Sequence, residues 1–510
     1  MASIAQTKFQ AIPQVHSRIS LEVGLAVLLL GLTFAVRVTN LNYNSLFVDE
    51  AIYATVGREV LAGKDFQAAS AWMFGSYFYP AAAALSNNIA GVVGMRGLSA
   101  ILSTTAALFV FITTRQLFGI KPALWALLLF GLSGASISVG QFATYDVMGL
   151  PFLAIALFCI VSAALTRHQT AYLLAAGATF SLSFLGKYIA ILYLPTLVYI
   201  GFLLFVAQRK PIRPLASRFL PVVIAVIGAY VLYFLFDLGE VFSGKHSTDI
   251  VDRLVVLRVI LEEIGPAILA AGFGLLFIPR RLLGGFPGRM ARALTVVALA
   301  GVLLSALALP AYHLVSSNFR ALEKHAVYAL IFLAPLAGNG IAAVVARLQR
   351  AGRGRVFGAV VTVAGLIWFV NYSLDRNWSF QNGWPDVSGA VEYLRQKGVG
   401  PDDLVLASGS AIYEYAFNFD IWSSRNIWFS TWYMKYKEIE GVDAMKLAIL
   451  ERAVDYVVLD DYYTPEMNQV LEPVLEAAGY WQDFQQTVEL GNGDPIRVRV
   501  FLPPVESVQR

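Results

Sequence analysis

Apolar residues in this chain gather into long runs, not into the alternation of half-buried strands or the narrow stripe of a surface helix. Runs of spanning length, about 17–25 residues, fall at 21–38, 98–117, 123–140, 148–165, 171–185, 189–207, 219–236, 264–278, 293–312, 326–346 and 356–374, which predicts about eleven transmembrane helices. The segment 65–96 fits neither a span nor a plain loop. It carries Trp72, Phe74, Tyr77, Phe78 and Tyr79, then Pro80, an alanine run and Asn87–Asn88. Aromatic residues at a water–lipid boundary predict short helices lying along the interface. Residues 250–261 read as amphipathic, with Asp252, Arg253 and Arg258 interrupting an Ile/Val/Leu face. No internal repeat of the kind built into many transporters is visible.

After residue 374 the pattern changes. Residues 387–396, 443–452 and 464–478 have helical periodicity, while 404–407, 456–459 and 496–502 read as short buried strands. Helices alternating with strands predict a small α/β layer domain. Its aromatic stretch 421–436 (Trp422, Trp428, Phe429, Trp432, Tyr433, Tyr436) either docks on the membrane part or contacts carbohydrate. Asp460–Asp461 follows a strand with no histidine nearby, so it reads as a loop start or helix cap. The expected architecture is a polytopic α-helical membrane module over 1–374, its first extracytoplasmic loop at about 40–97, and an extracytoplasmic α/β domain over 375–510.

Composition agrees. Of 510 residues, 57% are hydrophobic and only 14% charged, with a mean hydropathy of +0.63; soluble domains average about 25% charged residues. The net charge of +4 hides a division. Up to Leu374 there are 27 Lys and Arg against 13 Asp and Glu, a net of +14, and from Asp375 onward 11 against 21, a net of −10. The loops bearing Arg115, Lys121, Arg167, Arg209, Lys210, Arg213, Arg218, Arg280, Arg281, Arg289, Arg292, Arg347, Arg350, Arg353 and Arg355 all fall on the side of the N-terminus, which the positive-inside rule makes cytoplasmic. Of the acidic residues before Asp375, only Glu22 falls there. With eleven spans the C-terminal domain lies opposite, in a multi-pass plasma (inner) membrane protein. The first span runs into an Asp-Glu stretch without a small-residue cleavage site, so it reads as an uncleaved helix. A single cysteine, Cys159, rules out an intrachain disulfide.

Charged residues then converge on the non-cytoplasmic ends of the spans. Asp49–Glu50 follows the first span, Arg96 precedes the second, Tyr145–Asp146 sits between the third and fourth, Lys187–Tyr188 between the fifth and sixth, and Arg320, Lys324 and His325 precede the tenth. Ionisable residues at membrane depth are functional candidates. Each also has a structural reading. Asp49–Glu50 can mark topology, Lys187 can snorkel to headgroups, Asp146 can cap a helix, Arg96 can meet lipid phosphate, and His325 reads as packing or capping. Those separate readings do not explain why both signs meet at matched depth on one face. A transporter or flippase for a lipid-linked sugar would instead place broken helices and polar groups near mid-membrane; a non-catalytic receptor would leave the cations unexplained.

The stretches LFVDEAIYATVGREVLAG, MRGLSAILST, the Tyr-Asp before the fourth span, GKYIAILYLP and EKHAVYALIFLAPLAG resemble, in that order, membrane glycosyltransferases of the GT-C class. The similarity is to the protein O-mannosyltransferase and lipid A aminoarabinose transferase superfamily and covers about the first 375 residues. It implies inverting transfer of a sugar from a polyprenyl-monophosphate donor to an acceptor hydroxyl on the extracytoplasmic face. By position it makes Asp49 the general base, Glu50 its support or an acceptor ligand, and Asp146 an orienting carboxylate. Lys187, Arg96 and Lys324 become candidates to neutralise the donor phosphate, and Tyr53, Tyr145 and Tyr188 candidate substrate-binding residues. The family often carries a His or Lys in the interfacial region, where this chain reads GSYFYPAAAAL. Phosphate binding must then rest on Arg96, Lys187 or Lys324. No obligate cofactor or metal is implied, since a monophosphate flanked by cations has less need of one. The implied partners are membrane lipids, the lipid-linked donor and a glycan, glycolipid or protein acceptor, with no nucleic acid.

Overall fold

The computed structural model describes residues 14–63, 76, 78–233, 251–278, 288–317, 321–350, 354–400, 402–417 and 428–504. The expectations at Trp72, Phe74, Tyr77, Arg320 and Trp422 lie outside them. Each of the eleven apolar runs overlaps a helix. In order these are α1 (Gln14–Val38), α2 (Val48–Leu61), α3 (Phe78–Phe118), α4 (Ile120–Leu132), α5 (Gly134–Gln141), α6 (Asp146–Leu165), α7 (Gln169–Gly186), a 3₁₀ turn (Tyr188–Tyr193), α8 (Leu194–Ala207), α9 (Leu220–Tyr233), α10 (Arg253–Leu275), α11 (Gly288–Ala306), α12 (Ala308–Ser316), α13 (Leu322–Arg350) and α14 (Gly354–Gln381). Among the described residues seven helices are long and apolar enough to cross a membrane, and nine spans result if each of two bent pairs counts as one. Polar residues lower the apolar character of the others: Gln169, Ser181 and Ser183 in α7, and Glu262–Glu263 in α10.

The bends have local causes. Between α4 and α5 the axis turns 56° at Ser133, and buried Arg37 fills the break. Its guanidinium donates to the carbonyls of Thr33 (2.8 Å) and Gly131 (2.7 Å) and to the hydroxyls of Ser103 (2.9 Å) and Ser136 (2.7 Å). Within α3 the non-helical pair Ala90–Gly91, with Gly91 at φ +58°, sets residues 78–89 apart from the following span. At φ +58° with ψ −144° only glycine escapes a Cβ clash.

α13 is the central helix, buried from His325 to Gly340, and it packs between α10 and α4. Close approach to α10 rests on small residues: a Cβ on Gly274 would lie 2.0 Å from the Leu336 carbonyl oxygen, and one on Gly340 2.3 Å from that of Ala270. α1 and α14 leave most of their apolar side chains exposed, as lipid-facing helices do.

The C-terminal domain has α15 (Ser388–Gln396), β1 (Val405–Ala407), α16 (Ser410–Phe417), β2 (Trp428–Ser430), a hairpin of β3 (Lys435–Tyr436) and β4 (Ile439–Glu440), α17 (Val442–Leu450), β5 (Tyr456–Asp460), α18 (Pro465–Ala477), β6 (Trp481–Glu489) and β7 (Pro495–Leu502). One sheet runs β2-β1-β5-β7-β6, parallel among the first three and antiparallel at β7 and β6. This domain sits on the start of α2. Trp384 Nε1 donates to the Ser45 carbonyl (3.0 Å), Asn44 Nδ2 to that of Trp384 (2.9 Å), and Tyr415 Oη to Asn87 Oδ1 (2.6 Å). α16 packs along α2, and the Tyr463 ring lies 5.9 Å from that of Phe47.

Candidate active site

The first turn of α2 carries Asp49 and Glu50, two acids where the helix dipole favours them. Neighbouring helical positions diverge by roughly 100°, and the two carboxylates accordingly meet different partners. Glu50 is fully buried. Its oxygens accept from Arg96 Nε (2.9 Å) and Nη2 (2.7 Å) and from the backbone N–H groups of Phe47 (3.0 Å) and Ala143 (2.8 Å). Arg96 also donates to the carbonyls of Leu41 (2.9 Å), Asn44 (3.3 Å) and Ser45 (3.3 Å), and its guanidinium lies 4.0 Å over the Tyr43 ring. All five N–H bonds of Arg96 are thereby in use. As it stands, Arg96 has no donor left for a phosphate; it buckles α3 to α2 and to the loop before it, and Glu50 ties in the loop before α6.

Asp49 points the other way, and Lys324 Nζ on α13 lies 2.9 Å from its Oδ2. The next residue, His325, puts Nε2 3.2 Å from Asp146 Oδ1 at the head of α6. That same oxygen is 2.8 Å from Lys187 Nζ, at the C-terminal end of α7, and Asp146 Oδ2 accepts from the Thr144 hydroxyl at 2.7 Å. The Tyr328 hydroxyl donates to the Asp146 carbonyl (2.6 Å). Glu323, preceding Lys324, reaches Arg376 of α14 at 3.5 Å, and Arg376 also pairs with Glu262 and Glu263 of α10. Three consecutive residues opening α13 thus engage α14, α2 and α6.

Aromatic rings line this arrangement. Lys187 Nζ lies 3.6 Å over the Tyr145 ring and 5.5 Å from that of Tyr188, a cation–π placement. Tyr53 packs 5.1 Å from Tyr145 and 5.8 Å from Tyr79. The structure therefore brings Asp49, Lys324, Asp146, Lys187, Tyr53, Tyr145 and Tyr188 to one end of the bundle, and sets Glu50 with Arg96 behind them. Sequence reading misses Thr144 and assigns His325 to packing or capping, whereas its ring meets Asp146. Each of the two carboxylates Asp49 and Asp146 is balanced by one lysine, so an arriving anion can draw on both ammonium groups.

A family model described as dolichyl-phosphate-mannose-protein mannosyltransferase matches residues 73–236, which include Arg96, Tyr145, Asp146, Lys187 and Tyr188. No curated protein sequence matches the chain. Among solved structures, ArnT from Cupriavidus metallidurans bound to undecaprenyl phosphate is 13% identical with a TM-score of 0.55, over 96% of this chain and 98% of that one. The oligosaccharyltransferase AglB from Archaeoglobus fulgidus, in complex with an inhibitory peptide and a dolichol-phosphate, is 11% identical with a TM-score of 0.53, over 96% of this chain and 75% of that one. The arabinofuranosyltransferase AftD from Mycobacteria is 14% identical with a TM-score of 0.52, over 97% of this chain and 40% of that one. The fold is the GT-C fold of polytopic membrane proteins. The family model spans 164 of the 510 residues, about a third of the chain, and at these identities the solved structures show a shared fold.

Proposed function

We propose that the chain moves a sugar, with inversion, from a polyprenyl-monophosphate donor to an acceptor hydroxyl on the extracytoplasmic face of the membrane. The observation that carries this reading is the pairing of Asp49 with Lys324 beside Asp146 with Lys187, all at one end of the bundle. The undecaprenyl phosphate and dolichol-phosphate found with two GT-C relatives supply the donor class.

In this mechanism Asp49 takes the proton of the acceptor hydroxyl as its oxygen attacks the anomeric carbon. The bond from that carbon to the phosphate oxygen breaks, and its electron pair leaves with the lipid phosphate. Lys324 and Lys187 neutralise the charge that grows on the leaving oxygen. Asp146 holds Lys187 and Glu50 holds the head of α2, so both act by positioning. Arg96 joins Glu50 in that role instead of meeting phosphate. Tyr145, Tyr53 and Tyr188 wall the sugar. The loops that carry these residues are taken as extracytoplasmic on the charge bias of the opposite loops.

The test is Asp49→Asn in the full-length membrane protein. Transfer should be lost while insertion and thermal stability remain; transfer at the wild-type rate overturns the general base. Mass spectrometry of lipid copurifying with the protein identifies the donor, with a polyprenyl-phosphate sugar expected.

A further inference from the structure

α12 is separated from α11 by a 50° bend, and it carries a histidine that the catalytic reading does not use. His313 is buried, and its Nε2 lies 2.8 Å from Nδ1 of His325, with ring centroids 5.0 Å apart. His325 in turn sets Nε2 3.2 Å from Asp146 Oδ1. The two atoms are not aligned as a hydrogen bond, but a bare ring nitrogen 3.2 Å from a carboxylate oxygen is repelled and a protonated one attracted. For a neutral His325 the proton is then on Nε2 and Nδ1 is an acceptor. His313 must therefore present an N–H from Nε2. The two contacts together allow one arrangement of protons for two neutral rings.

We propose that His313 is a positioning residue for the donor-phosphate side of the site. It holds the ring of His325 from behind, and that ring faces Asp146 while Lys187 Nζ meets the same carboxylate oxygen at 2.8 Å. Without the N–H of His313, Nδ1 of His325 is a buried acceptor with no donor, and the ring turns to satisfy it. Nε2 then leaves Asp146, and the carboxylate shifts, taking the ammonium of Lys187 with it. Groups that orient a histidine from behind are worth about 10–100-fold at metal sites, and the same order is expected of the site supported here. The inference rests on the reading of Lys187 as a phosphate cation.

The experiment compares His313→Gln, His313→Asn, His313→Leu and Lys187→Ala in the purified full-length protein. It measures binding of undecaprenyl phosphate alongside the donor KM and kcat of transfer. A glutamine side-chain amide reaches the place of Nε2 and supplies the missing N–H; asparagine falls short of it. His313→Leu and His313→Asn should weaken undecaprenyl phosphate binding ~10-fold or more, with His313→Gln restoring most of it and the acceptor KM unmoved. If Lys187→Ala weakens binding while His313→Leu binds as wild type, the inference fails and the site reading stands. If Lys187→Ala also binds as wild type, the site reading itself falls and takes the inference with it. Where His313→Leu does not fold, Gln and Asn decide, and equal binding by the two overturns the proposal.

Discussion

Lys324 Nζ stands 2.9 Å from Asp49 Oδ2 across 275 positions of sequence, and the pair is the open one of the two in the site. Side-chain exposures are 14% and 22% for Lys324 and Asp49, against 4% and 1% for Lys187 and Asp146. The lysine that balances the proposed base is thus within reach of an incoming ligand. A donor phosphate that draws Lys324 away leaves Asp49 without its counter-ion and open to an acceptor hydroxyl.

This arrangement predicts that the donor binds first. Initial-rate and product-inhibition kinetics should show ordered addition, and a random order would remove the idea that phosphate frees the base. Lys324→Met should lower kcat about 10²–10³-fold, the cost of one charge-stabilising donor at a reacting centre. A change confined to the acceptor KM would argue against that role.

Glu50 and Arg96 call for the opposite signature. The pair is fully buried, with four donors on the carboxylate and five N–H bonds in use on the guanidinium. Removing one partner of a buried pair costs about 3–5 kcal/mol because the other charge is left uncompensated. Glu50→Gln and Arg96→Met should therefore lower the thermal unfolding midpoint in detergent and lose activity in step with it. The double variant should recover part of the midpoint. A stable Arg96→Met protein with a raised donor KM would return Arg96 to the phosphate.

Transfer should survive exhaustive chelation. The ground is the donor set: an ammonium sits 2.9 Å from Asp49 and another 2.8 Å from Asp146, where a divalent ion would need the oxygens. Loss of activity on chelation, restored by manganese or magnesium, would reverse the expectation.

The spans are legible in the sequence because a bilayer imposes length and apolarity on every crossing segment. The loop carboxylates and lysines are legible because charge at membrane depth is costly without a task. Partnerships are not. Asp49 and Glu50 are chemical near-equivalents in sequence, and only the turn of a helix sends one to Lys324 and the other to Arg96. His313 escapes notice because a bend between α11 and α12 brings it to His325. In the C-terminal domain β6 is missed for a local reason: a register shift between Gln482 and Phe484 breaks its alternation. α16, a helix of eight residues, is too short for a periodic signal.

The docking of the C-terminal domain on α2 should depend on pH through Glu414. This carboxyl is buried on α16 near Arg58 of α2, and burial pushes its pKa from 4.5 up to about 8 against the opposing pull of Arg58. A carboxyl whose folded pKa is raised binds its proton more tightly in the fold than in the unfolded chain. Its contribution is then fully present below about 4.5 and is lost as the pH rises through about 8. Asp460 at the end of β5, raised by burial to about 6, has the same sign over a lower window. Thermal stability of the full-length protein should thus fall between pH 5 and pH 8, and hydrogen exchange in α2 should quicken over the same range. Glu414→Gln removes the ionisation while keeping the shape, so it should flatten the profile and stabilise the protein most at the alkaline end. If the variant follows the wild-type curve, Glu414 does not control the contact between the domain and the helix that bears Asp49.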